Sequence, residues 1–199
     1  MSFLHTGALR HAALACAIMV MIAATIYPSD MTGHYAQSRH GHQSLFVTAV
    51  EDYGRHLNTI IPLGTAIALR DVNGLGQIAA ISIFGTAATH IPKRLLNDVK
   101  IGGTRLGQRP NGSNHNMPSG HSSLASAGAY VAVRRYSKWL GLIVWPVLLS
   151  TMYARYMLDA HTVSATIAGA IAGLLVAAMF ARPLQRNAPH SVPRLASAL

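Results

Sequence analysis

The chain has 199 residues, is 51% hydrophobic and only 11% charged, and carries a formal net charge of +10. A soluble domain has about 25% charged residues, so this composition excludes an ordinary soluble enzyme and points to an integral membrane protein. The basic residues flank apolar runs, a pattern drawn to anionic lipid; a bilayer and an anionic lipid are therefore the expected partners, and nucleic acid is not.

The predicted elements follow in chain order. Residues 9–27 form a first apolar span, read as an uncleaved helix rather than a signal peptide. The polar loop 28–43 carries His34, His40 and His42. His-x-His suggests a metal, but no carboxylate or cysteine completes a ligand set, and a solvated loop is the plainer reading. The lone Cys16 cannot form an intramolecular disulfide. Residues 44–54 read as amphipathic and interfacial. A second span, 55–69, has its apolar core shortened by Arg55, His56 and Asn58, and 70–74 makes a turn. A third span covers 75–91 and continues amphipathically to Leu96.

A polar stretch without a single acidic residue follows, GGTRLGQRPNGSNHNMPSGH over 102–121. A fourth span, 119–133, is rich in Ser, Ala and Gly, which allows helices to pack closely. A basic connection at 134–138 leads to a fifth span at 139–156, with Trp139 and Tyr153 as interfacial anchors. The sixth span, 162–180, has Gly169 and Gly173 in small-xxx-small spacing. The fold class expected is an all-α integral membrane protein with about six transmembrane helices. Residues 1–181 form one membrane-embedded domain, and 182–199 form a basic, mobile tail.

The acid-free stretch suits a dianionic group such as a phosphate. Its end, Pro118-Ser119-Gly120-His121, runs into the fourth helix. The amides of Ser119, Gly120 and His121 then lie at a helix N-terminus, where free N–H groups and the positive end of the dipole attract anions. A second polar cluster, Arg155, Asp159 and His161, falls between the fifth and sixth spans. By the span count it lies on the same membrane face. Ionisable residues at the rim of a bundle suggest function.

Together these motifs resemble the type 2 phosphatidic acid phosphatase (PAP2) superfamily, which also includes vanadium haloperoxidases and whose pattern is K-x6-RP, PSGH and SR-x5-H-x3-D. Arg109-Pro110 matches the end of the first part, Pro118-Ser119-Gly120-His121 the second, and Arg155-x5-His161 the third. The chain departs from the pattern where the motif lysine would fall at Gly102, where Ala154 stands for Ser, and where Ala165 stands for the Asp that orients the nucleophile. Lys100 and Arg105 are the nearest substitutes for the lysine, with Lys93 or Arg94 within reach from the preceding helix end. Asp159, Asp98, Ser164 or a backbone carbonyl are the alternatives for orienting His161.

The resemblance implies a PAP2-type helical bundle and a metal-free, cofactor-free phosphatase. In it His161 is the nucleophile and His121 the general acid and base. Arg109, Ser119, Gly120 and Arg155, with Lys100 and Arg105, bind the phosphate. The runs RPNGSNHNMPSGHSS and ARYMLDAHTVSA are most similar to bacterial lipid A phosphatases, in particular those acting at the 1-position. Undecaprenyl diphosphate and phosphatidylglycerol phosphate are the competing substrates. A non-catalytic anion or lipid binder, or a transporter, is the alternative of another class. The resemblance also implies a multi-pass protein of the bacterial inner membrane with its active site facing the periplasm. With the loop residues discounted as substrate-binding, the remaining Lys and Arg favour cytoplasmic termini.

Overall fold

The structure, a computed structural model, describes residues 2–37 and 43–184. Its helices are α1 (Ser2–Ile26), α2 (Met31–Gln37), α3 (Leu45–Ala49), α4 (Arg55–Ala68), α5 (Val72–Leu95), α6 (Gly120–Val131), α7 (Gly141–Met157) and α8 (Val163–Phe180). Single π-helical turns follow α3 (Val50–Gly54) and α6 (Ala132–Tyr136), and a 3-10 turn (Lys138–Leu140) leads into α7. The expectations for His40, His42 and residues 185–199 lie outside the described residues.

The bundle is built around α6, which packs on α4, α5, α7 and α8. Its sequence, GHSSLASAGAYV, explains why: a helix of small side chains can be enclosed on nearly every face, and Ser122, Ala125, Ser126 and Ala129 are all buried. A Cβ at Gly128 would lie 1.7 Å from the Asn58 carbonyl oxygen, so α4 and α6 touch through their backbones. Gly169 and Gly173 serve α8 in the same way. Cβ atoms there would meet the carbonyl oxygens of Ser119 and Ser123 at 2.2 and 2.0 Å. The small-xxx-small spacing thus marks the α6–α8 contact. Asn58, fully buried, gives its amide hydrogens to the Ala125 and Val144 carbonyls at 2.9 and 2.8 Å and ties α4 to α6 and α7.

Among the described residues, the helices long and apolar enough to cross a membrane are Val72–Leu95, Lys138–Met157 and Val163–Phe180. The expected count of about six is therefore not carried by length and hydropathy. Helix α4 has 14 residues and α6 has 12. At 1.5 Å per residue α6 is only about 18 Å long, well short of the roughly 30 Å hydrocarbon layer. A helix sheathed by neighbouring helices need not match the lipid thickness. In the segment 44–54, Val47 and Val50 are buried against Ala154 at the end of α7, and the exposed side also carries large apolar side chains, Leu45, Phe46 and Tyr53.

The basic connection 134–138 departs from a purely lipid-facing role. Arg135 is buried and donates through Nε and Nη2 to Asp71, the N-cap residue of α5, at 2.6 Å each. Its Nη1 donates to the Arg182 carbonyl at 2.8 Å, and the Arg182 amide donates to Gln77 Oε1. This end of the bundle is closed by a fully partnered ion pair, so the tail is docked at least through Leu184, whose amide donates to the Arg135 carbonyl.

Candidate active site

Five segments converge at the other end. Lys93 comes from the last turn of α5, Arg109 from the loop before α6, Gly120 and His121 from the first turn of α6, Arg155 from the last turn of α7, and His161 from the turn before α8. They line the polar end of one cavity of about 450 Å³. The cavity continues between α4, α5 and α6 past Thr89 and Leu124 to an apolar end at Ile78, Ile81 and Val131. A cluster of cations thus opens into a hydrocarbon-lined channel.

The loops are cross-braced. The Asn111 amide donates to the Asp159 carbonyl at 3.1 Å, joining the Arg109 loop to the α7–α8 turn. The Asn116 side chain accepts from the Thr162 amide at 3.0 Å and donates to Thr162 Oγ1 at 3.1 Å. The Asn116 carbonyl accepts from His161 Nδ1 at 2.7 Å. A backbone carbonyl accepts only, so Nδ1 carries the proton and the Nε2 lone pair is free. His161 is nearly fully buried. Burial first, then the charges of Lys93, Arg109 and Arg155, push its pKa down to about 2. The ring is therefore neutral, with its Nε2 lone pair available.

Among the four alternatives for orienting His161, the carbonyl is the one in place. Asp159 pairs with His34 Nε2 at 3.3 Å, Asp98 lies near Arg105 at the surface, and Ser164 bonds Thr162 and Ser29. Ala165 is buried against Met117 and Ala168, and its carbonyl accepts from the Ser119 amide at 2.9 Å.

That last bond alters the expected anion cradle. The Ser119 amide is spent on Ala165, and Ser119 Oγ caps α6 by accepting from the Ser122 amide. Ser119 is fully buried and does not line the cavity; its part is to fix the start of α6. The amides of Gly120 and His121 remain at the helix N-terminus. A Cβ on Gly120 would stand 3.7 Å from Thr89 Cγ2 and 3.8 Å from Lys93 Nζ.

Lys100 and Arg105, the expected substitutes for the motif lysine, do not reach the cavity. They pair across a two-residue hairpin, β1 (Lys100–Ile101) with β2 (Thr104–Arg105). Arg105 is held by Asn114 and Asp98. Gly102 and Gly103 form the turn with φ of +55° and +80°. Such a turn takes glycine readily, and a lysine at 102 would sit in a left-handed conformation. The lysine that does line the cavity is Lys93, from the last turn of α5.

Among the described residues, Arg109 and Arg155 are under-satisfied. Arg109 makes only long contacts, 3.4 Å each from Nε and Nη2 to the His115 carbonyl. Burial and the Arg155 charge lower its pKa. Arg155 Nε is buried without a partner, while Nη1 donates to Glu51 at 2.8 Å. Glu51 and Arg55 are the residues that sequence reasoning missed as parts of the site. The signal available was the cluster Glu51, Asp52, Arg55 and His56 in a chain otherwise poor in charge.

The comparisons with known proteins agree with this geometry. The family model described as PAP2 superfamily matches residues 76–188. The lipid A 1-phosphatase of Helicobacter pylori strain J99 / ATCC 700824 is 43% identical over 148 residues, 73% of this chain and 78% of that protein. The lipid A 1-phosphatase of Helicobacter pylori strain ATCC 700392 / 26695 is 43% identical over 135 residues, 67% of this chain and 70% of that protein. No solved structure gives a significant match. With its three motif remnants gathered at one end of a helical bundle, and with relatives this similar over most of their length, the chain belongs to the PAP2 superfamily.

Proposed function

We propose that this protein is a membrane lipid phosphatase that removes the 1-phosphate of lipid A. The observation that carries this reading is the single cavity with His161, His121, Lys93, Arg109 and Arg155 at one end and aliphatic side chains at the other. Such a site suits a phosphate whose leaving group bears hydrocarbon. The choice of lipid A follows the names of the two Helicobacter relatives.

The reaction runs in two displacements. His161 Nε2 attacks phosphorus, the bond from phosphorus to the leaving oxygen breaks, and His121 passes a proton to that oxygen. The proton comes with the ester, whose second ionisation lies at about 6, and is taken up at His121 Nε2, which gives up its contact with Arg55 Nη1 to receive it. Water then attacks the phosphohistidine, His121 takes its proton, and the phosphorus–nitrogen bond breaks to release phosphate. The cations Lys93, Arg109 and Arg155 and the amides of Gly120 and His121 stabilise charge on the equatorial oxygens. No step calls for a metal or cofactor.

In the membrane, α1, α4, α5, α6, α7 and α8 would be the six spans of a single domain over residues 1–181, with 182–199 as its tail. Six spans put both termini on one side; with the loop cations discounted as substrate-binding, the remaining Lys and Arg favour the cytoplasm for that side, and the site then faces the periplasm across the inner membrane. The test is phosphate release by purified protein, wild type beside His161→Ala, on lipid A, undecaprenyl diphosphate and phosphatidylglycerol phosphate. Release from lipid A, lost in the variant, with mass spectrometry showing the 1-phosphate gone, is the expected result. Release only from another lipid would replace the substrate, and no release from any would overturn the reading.

A further inference from the structure

Glu51 and Arg55 belong to none of the three motifs, and both precede the residues 76–188 matched by the family model. Yet they reach the heart of the site. Glu51 Oε1 accepts from Arg155 Nη1 at 2.8 Å and also from Arg55 Nη1. Arg55 Nη1 stands 3.1 Å from His121 Nε2. A guanidinium has donors only. His121 therefore accepts at Nε2, and its ring is neutral in the resting site.

Local packing puts the carboxylate there. Ser44 Oγ caps α3 by accepting from the Val47 amide. Val47 and Val50 are buried against Ala154, Met157 and Leu158 at the end of α7, the helix that carries Arg155. The π-helical turn at Val50–Gly54, a feature frequent at functional sites, then leads into α4 and Arg55.

The way Glu51 grips Arg155 is informative. In a guanidinium, Nε and Nη2 form the side edge that meets a phosphate bidentately; Nη1 lies outside that edge. Glu51 takes Nη1, and Nε is left buried and unpartnered, on a residue that lines the cavity. We propose that Glu51 is a positioning residue for the phosphatase reaction. It aims the Nε edge of Arg155 at the phosphate and, through Arg55, holds the ring of His121. The inference rests on the phosphatase reading. An ordinary exposed i,i+4 pair between Glu51 and Arg55 would add little to helix stability and would leave turnover untouched.

The test uses the full chain in detergent with lipid A as substrate and vanadate as a probe for binding of a tetrahedral oxyanion, read by inhibition and by thermal stabilisation. Glu51→Gln keeps the shape and removes the charge. We expect it to lower kcat/KM about 10- to 100-fold, the range seen when a residue orienting a ligand-binding group is lost, and to weaken vanadate binding in parallel. Glu51→Asp, which keeps the charge, should recover part of both. In an Arg155→Ala background, Glu51→Gln should have a much smaller effect, because its principal target is gone. Should Glu51→Gln fail to fold, Arg55→Gln carries the test: it leaves the Glu51–Arg155 contact intact, so kcat/KM should fall with vanadate affinity retained. Unchanged kcat/KM and vanadate affinity in folded Glu51→Gln, or an undiminished effect on top of Arg155→Ala, would overturn this inference alone. A wild-type protein that neither binds vanadate nor releases phosphate would overturn the phosphatase reading along with it.

Discussion

At one end of the bundle Arg135 gives Nε and Nη2 to Asp71 at 2.6 Å each and Nη1 to a carbonyl at 2.8 Å. At the other, Arg155 gives Nη1 to Glu51 and leaves Nε without a partner. The two arginines are almost equally hidden, 6% and 8% exposed, so burial does not separate them. What separates them is whether the donors are used up. A closed ion pair holds elements together; an under-satisfied cation beside Lys93 and Arg109 is, on the proposed function, the one that receives the phosphate. The lesson extends to Asp71, whose carboxyl the Arg135 guanidinium holds below the usual range, and which therefore remains a charged anchor through mildly acidic pH.

The sharpest way to break this contrast is to remove the nucleophile beside the open arginines. His161→Ala should lower kcat/KM about 10⁴-fold or more, measured as phosphate release, while the protein still folds. Next, Arg155→Ala should cost about 10²–10³ in rate with little loss of stability. Arg135→Ala should do the reverse: about 3–5 kcal/mol of stability lost, because Asp71 is left buried and unpaired, with near-normal turnover per folded molecule. Thermal unfolding in detergent beside kinetics reads both. Equal activity losses in the two variants would erase the distinction. Arg155→Lys should restore only part of the rate, since a point charge lacks the side edge of the fork.

A pH effect comes next in size. The free-site value of His161, about 2, lies below the roughly 6.5 of an unfolded histidine. Above the unfolded value both states are neutral. As pH falls through it, the unfolded chain binds a proton that the folded site refuses, so stability declines toward acid. In phosphate-free buffer the wild-type protein should therefore lose more stability than His161→Ala between about pH 7 and 5, read from unfolding midpoints. Smallest of all, His34→Ala should leave turnover intact. Its ring pairs with Asp159 and packs edge-on against Tyr156, so a loss of about 0.5–1.5 kcal/mol of stability is expected. A large rate loss there, restored by a metal, would return His34 to the chemistry.

Much of the site was legible in the sequence because its residues come in short runs with fixed roles. Pro118-Ser119-Gly120-His121 reads as a helix start and is one; Arg155 and His161 read as neighbours of that stretch and line one cavity with Arg109. The roles within those runs were less legible. Ser119 looks like an anion donor until the Ala165 carbonyl is seen to take its amide. Lys100 and Arg105 look close to the motif position in sequence, but the hairpin turns them away. Lys93 and Arg94 are both within reach from a helix expected to run to Leu96; α5 does run to Leu95, and of the two it is Lys93 that lines the cavity. The orienter of His161 is a main-chain carbonyl, invisible to any search by side-chain type. The fold shows the same division. The apolar runs located the helices, yet α4 and α6 are shorter than a bilayer is thick: α6 is enclosed by its neighbours, whereas α4 buries only Asn58, Pro62 and Ala66.

The most direct measurement is to trap the covalent intermediate. Lipid A labelled in its 1-phosphate is mixed with enzyme, quenched within the first turnover under alkaline denaturing conditions, and the labelled peptide is mapped by mass spectrometry. The mechanism predicts phosphate on the peptide containing His161, absent from His161→Ala and, with His121→Ala, formed from an activated aryl ester but slow to hydrolyse. Label on another residue, or complete turnover by the His161→Ala protein, would contradict it.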